Sequence, residues 1–131
     1  MMKLKPLPLA GVVVGLCAAG AAFAGTRSTL QVIVSPSGMY AMGDVGAAYN
    51  STSNYNEYIG CASNASPGYS WGICYATDSE GVSRYCTTDS ADLLASMRSV
   101  DANTRLTFTW DGNGSCTTVS AGQYSFTDPK R

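Results

Sequence analysis

The sequence predicts an α+β fold: a mostly antiparallel β-sheet with one short helix, at about residues 89–100, held by two disulfides. Three observations predict it. Apolar and polar residues alternate along 69–77 and again from 105, the period of a half-buried strand. Residues 89–100 switch to a helical period. Four cysteines, Cys61, Cys74, Cys86 and Cys116, follow an export signal, and an even count in a short exported chain predicts bridges.

The export signal opens the chain as "MMKLKPLPLAGVVVGLCAAGAAFAG". Lys3 and Lys5 form a basic start, Leu9 to Ala22 carry no charge, and Ala22-Phe23-Ala24 is a small-x-small cleavage site. These are the three parts of a secretory signal peptide. Residues 1–24 are therefore expected to be removed, with Cys17 among them, leaving 25–131 as a single disulfide-linked β-rich domain. The signal is alanine-rich, as bacterial signals are, so the expected location is periplasmic or secreted. No later apolar run is long enough to span a bilayer.

The elements follow in order. "STLQVIVS" (28–35) is β-branched and stops at Pro36, a first strand. "MYAM" (39–42) returns as a second. The Gly/Asn/Ser/Tyr-rich stretch to about Asn54 lacks periodicity and is expected as a long loop. "YNEYIGCA" (55–62) is a strand and "SNASPG" (63–68) a turn. In "YSWGICYAT" (69–77), Tyr69, Trp71, Ile73 and Tyr75 share one face, and Ser70, Gly72 and Cys74 the other. Large side chains at strand spacing are usually core, so Trp71, Ile73, Phe108 and Trp110 are expected inside. "VSRYCTT" (82–88) completes a hairpin. In "DSADLLASMRSV", Leu93, Leu94, Met97 and Val100 line one helix face, with Asp89 or Ser90 as N-cap. "RLTFTWDGNGSCTTV" (105–119) is a hairpin around "DGNG". There the expected loop lengths put Cys116 on the threonine side, away from Phe108 and Trp110. "QYSFT" (123–127) is a candidate last strand.

Four cysteines allow three pairings, and strand parity separates them. An even-length loop at "DSEG" sets Cys74 opposite Tyr85 and Cys86 opposite Ile73, so the two thiols point to opposite faces. A three-residue loop with Gly81 left-handed sets Cys74 against Cys86 instead. The even loop is favoured, and with it Cys61–Cys74 and Cys86–Cys116. Metal and redox readings lack their signatures. The cysteine gaps are 13, 12 and 30 positions and no C-x-x-C occurs.

Composition narrows function. Histidine is absent, and the only lysine after the signal is Lys130 near the C-terminus. The usual general base and the commonest metal ligand are thus missing, and a serine has no activating partner. Most carboxylates have turn or helix-start roles; Asp44 and Glu57 are left over, and two leftover acids make no catalytic dyad. The expectation is no enzyme, no cofactor and no metal. Beyond residue 24 stand nine acidic and six basic residues, a net charge of about −3 with no basic stripe. That argues against nucleic acid as a partner.

Aromatic residues remain. Tyr49, Tyr55 and Tyr58 lie among Asn, Ser and Gly, and Tyr69 extends the set. Tyrosine combines apolar area, few rotamers and a polar handle, which suits a contact surface. These four are the candidate binding residues, with an unidentified protein or envelope glycan as partner. The run from "GICYATDSEGVSRYC" through "SADLLASMRSV" to "TFTWDGNGSCTTV" resembles small exported bacterial proteins. The resemblance covers about residues 72–119 and implies an exported β-rich domain, with no activity attached. Two roles follow as expectations: a binding or interaction module, inhibitors included, or a structural subunit of an envelope or extracellular assembly that self-associates through an open edge strand.

Overall fold

The computed structural model describes residues 28–51 and 56–126. The signal peptide expected at 1–24, and Tyr55, lie outside the described residues. The architecture is α+β, mostly antiparallel, with two disulfides. Two sheets form. One has four strands: β1 (Ile33–Ser35), β2 (Tyr40–Asp44), β6 (Thr104–Trp110) and β7 (Cys116–Gln123), in the order β1-β2-β6-β7. The other has three: β3 (Tyr58–Ser66), β4 (Tyr69–Thr77) and β5 (Ser83–Thr88), in that order. Helix α2 (Ala91–Arg98) packs on β3, β4 and β7. Leu94 and Met97 enter the core, and Leu93 and Val100 lie against it.

A second helix, α1 (Val45–Asn50), corrects the expectation of one helix and of a loop here. Its core face is Gly46, Ala47 and Ala48, too small to register as an apolar stripe. It also lacks the usual start signal. Asp44 is its N-cap but makes no side-chain cap bond, because its carboxylate is engaged elsewhere. Asp44 is fully buried and accepts from Arg105 Nε at 2.6 Å, Arg105 Nη2 at 3.0 Å and the Leu30 amide at 2.9 Å. That hydrogen bond holds the Arg105 guanidinium above its ordinary pKa, and the guanidinium lies over the Phe126 ring. Glu57 plays a matching part, accepting the Val32 amide at 2.5 Å. The two carboxylates thus take N–H groups of the segment before β1. This is why the strand expected over 28–35 shortens to 33–35: its Leu30 and Val32 amides bond to carboxylates rather than to a neighbouring strand.

Two turns set the registers. The β3–β4 hairpin closes through Pro67 and Gly68 alone, with Gly68 at φ 80°, a type II turn sequence. Residues 63–66 are therefore strand rather than turn. The β4–β5 connection carries Gly81 at φ 84°, and Asp78 Oδ1 accepts the amides of Glu80 and Val82. This is the three-residue loop that was not favoured, and it sets Cys74 directly opposite Cys86.

The bridges nonetheless join Cys61 to Cys74 and Cys86 to Cys116, so the preferred pairing holds although its premise fails. The reason lies in sheet geometry. Cys74 stands on the central strand, opposite Cys61 on one side and Cys86 on the other. In an antiparallel sheet such a residue forms a hydrogen-bonded pair with one neighbour and a closer, non-hydrogen-bonded pair with the other. The Cα atoms of Cys61 and Cys74 are 4.0 Å apart, the closer kind. Cys86 is then left to meet Cys116. A bulge between Thr109 and Trp110 shifts the β6–β7 register and sets Cys116 opposite Trp110. Cys116 is therefore buried on the core side, which corrects the threonine-side expectation. This bridge joins the two sheets, beside a short parallel contact of Thr87 with Ser115. Beyond β7, Tyr124 and Phe126 stack their rings instead of forming the last strand expected at 123–127.

Candidate binding surface

The faces of β4 decide where a site can be. Gly72, Cys74 and Ala76 point inward, while Trp71 and Tyr75 point out. Packing explains the choice. A Cβ on Gly72 would stand 2.4 Å from Met97 Sδ and 2.7 Å from Leu94 Cδ2, so α2 can approach the sheet only over a row of small residues. The large side chains are left on the other face. Phe108 and Trp110 are core as expected. Trp71 is not: it is 38% exposed, and Ile73 beside it is only partly buried.

The outer face of the three-stranded sheet is consequently aromatic. Tyr75 stands between Gly60 on β3 and Tyr85 on β5. The Tyr75 ring tip lies above Gly60, and its ring packs at 5.3 Å on Tyr58. Trp71 and Tyr69 continue the row along β4. Exposures of 44% at Tyr58, 39% at Tyr75, 65% at Tyr85 and 58% at Tyr69 show that nothing within the described chain covers it. By strand alternation the remaining positions on this face are Ala62, Asn64 and Ser66 on β3, Thr77 on β4, and Ser83 and Thr87 on β5. No Asp, Glu, Lys or Arg stands on it.

Each end of the row has a recess. At one end, α1 and the start of β3 enclose about 320 Å³ between Val45, Ala48, Tyr49, Ser51, Glu57, Tyr58 and Ile59. At the other, Tyr69, Trp71, Thr87, Thr88, Asp89 and Ser115 line about 350 Å³. Tyr49 and Tyr58 thus meet at one recess, and both are exposed. Tyr69 does not join them. It pairs with Ser66, eight strand positions from Tyr58, or about 26 Å at the usual rise. Tyr58 and Tyr69 are instead the two ends of one aromatic row. Trp71, Tyr75 and Tyr85, which fill its middle, were missed as site residues. A signal for them was present: if Cys74 and Cys86 are both bridged in the interior, the odd-numbered residues of β4 and β5 must face out.

Among the described residues no group of three or more His, Cys, Asp or Glu is placed to hold a metal ion. None of their helices is long and apolar enough to cross a membrane. Asp44 and Glu57, the two unexplained acids of the sequence, both hold backbone amides. Two disulfides are compatible with an oxidising, exported environment. A scan against protein-family models and searches of curated proteins and of solved structures found no match.

Proposed function

We propose that this chain is a small exported binding module whose contact surface is the outer face of the three-stranded sheet. The observation that carries the reading is the uncharged aromatic row from Tyr69 to Tyr58. Five exposed aromatic side chains on one sheet face form a contiguous patch of the kind that marks an interaction site. Rigid aromatic anchors lose little entropy on contact. The disulfides support the same reading, because one fixes β3 to β4 and the other docks this sheet on its neighbour. The partner class is an exported protein or an envelope glycan.

The test is capture of partners from envelope and culture-medium fractions by the oxidised protein and by a Tyr58→Ala/Tyr75→Ala variant. The expected outcome is loss of a saturable partner in the variant with an unchanged far-UV and near-UV spectrum. Equal capture by both proteins overturns the assignment of the face.

A second reading, a structural subunit of an envelope or extracellular assembly, draws on β3. It is an edge strand of nine residues with neither charge nor proline, an edge left without the usual guards against pairing. A concentration-dependent dimer in size-exclusion chromatography supports it; a monomer at all concentrations removes it.

A further inference from the structure

The recess at the Tyr69 end differs from the rest of the face in its chemistry. Tyr69 and Trp71 supply two exposed rings. Thr87, Thr88 and Ser115 supply hydroxyls, and Asp89 supplies one carboxylate. Asp89 is exposed just before α2, where a negative charge suits the positive end of the helix, and its oxygens stay free for a ligand. Ser90, not Asp89, is the N-cap of α2, and Asp89 has no hydrogen-bond or ion-pair partner among the described residues. An unengaged acceptor therefore stands beside two aromatic faces at the end of an uncharged strip.

We infer that this recess is a sugar subsite, and that the strip leading from it binds a neutral, extended glycan chain of β-1,4-linked pyranoses. The inference rests on the contact reading above and names its ligand class. Charge and shape both lead to this class. A pyranose ring has C–H faces that pack on Tyr and Trp and hydroxyls at its rim. Those hydroxyls can donate to the Asp89 carboxylate and exchange hydrogen bonds with Thr and Ser oxygens. A β-1,4 chain is extended and ribbon-like, matching a row of rings about 26 Å long along the strand direction. The strip offers no cation to an anionic glycan, and Asp89 repels one.

The experiment is titration of the full-length, oxidised protein with cellohexaose and with chitohexaose, followed by tryptophan fluorescence and calorimetry. Oligogalacturonate, a charged chain, serves as the contrast. Trp71 is exposed and Trp110 buried, so stacking at the recess registers as a change in Trp71 emission. The expected result is saturable binding of at least one neutral hexasaccharide, with weaker or no binding of oligogalacturonate. Trp71→Ala is expected to weaken affinity by about tenfold or more, and Asp89→Asn by a smaller factor. Arg98→Gln, at an exposed position of α2 away from the strip, is expected to bind as the parent does. Failure of both neutral sugars to bind a correctly oxidised protein overturns the glycan class. If capture of a protein partner still depends on Tyr58 and Tyr75, the contact reading survives that failure. Sugar binding unaffected by Trp71→Ala overturns the site.

Discussion

At the scale of single residues, the cysteines show how a correct pairing can stand on a mistaken register. Cys74 has a cross-strand partner on each side, and counting loop residues cannot choose between them. The choice depends on which pair is hydrogen-bonded, a property of the folded sheet. Asp44 and Glu57 were illegible for a similar reason. Their partners, Leu30 and Val32 amides and Arg105, lie 14 to 61 positions away, beyond any local pattern. Stability should reflect the two bridges unequally. In the chain-entropy model loops of about 14 and 31 residues contribute about 3 and 3.7 kcal/mol, against a total margin of about 5–15 kcal/mol. Cys86→Ala/Cys116→Ala also removes the covalent link between sheets. It should lower the urea midpoint more than Cys61→Ala/Cys74→Ala does. A difference of only about 0.7 kcal/mol would mean that the inter-sheet bridge adds nothing beyond loop closure, and equal losses would contradict the loop-length account as well.

At the scale of elements, strong periodicity was legible and short or small-residue elements were not. The α2 helix and the β4 and β6 strands follow from patterning over seven or more residues, and β5 and the start of β7 from their places as hairpin returns. The six-residue α1 has neither an apolar stripe nor a cap bond. The facing of β4 was misjudged because side-chain size alone favours burying Trp71. Helix approach decided otherwise, and Gly72 is the contact that decides it. Two glycines on opposite faces test this directly. At Gly72 an added side chain meets Met97 and Leu94; at Gly60 an added Cβ meets only the Tyr75 ring tip at 3.8 Å. Gly72→Val should cost about 1–3 kcal/mol by overpacking. Gly60→Ala should stay within about 0.5 kcal/mol of the parent. Urea denaturation of both variants measures the difference, and a reversed order would place α2 on the wrong face.

At the scale of the whole molecule, small inward residues and large outward ones give one sheet a packed inner face and an exposed aromatic outer face, the face the proposed function takes as its contact surface. Bridges and α2 secure its inner side, so the outer side is available without rearrangement. Of the sequence candidates, Tyr58 and Tyr69 lie at the two ends of that face and Tyr49 at the recess beside Tyr58. The aromatics between them were not candidates, because a place on the face depends on strand facing rather than on neighbours along the chain. The two tryptophans provide the most direct measurement. Trp71 is on the outer face, and Trp110 is 9% exposed in the core. Acrylamide quenching of the oxidised protein should show one accessible and one protected tryptophan. Adding the partner captured from envelope or medium fractions should protect the accessible one. A partner that binds at saturation while Trp71 remains as quenchable as before would contradict the aromatic face as the contact surface.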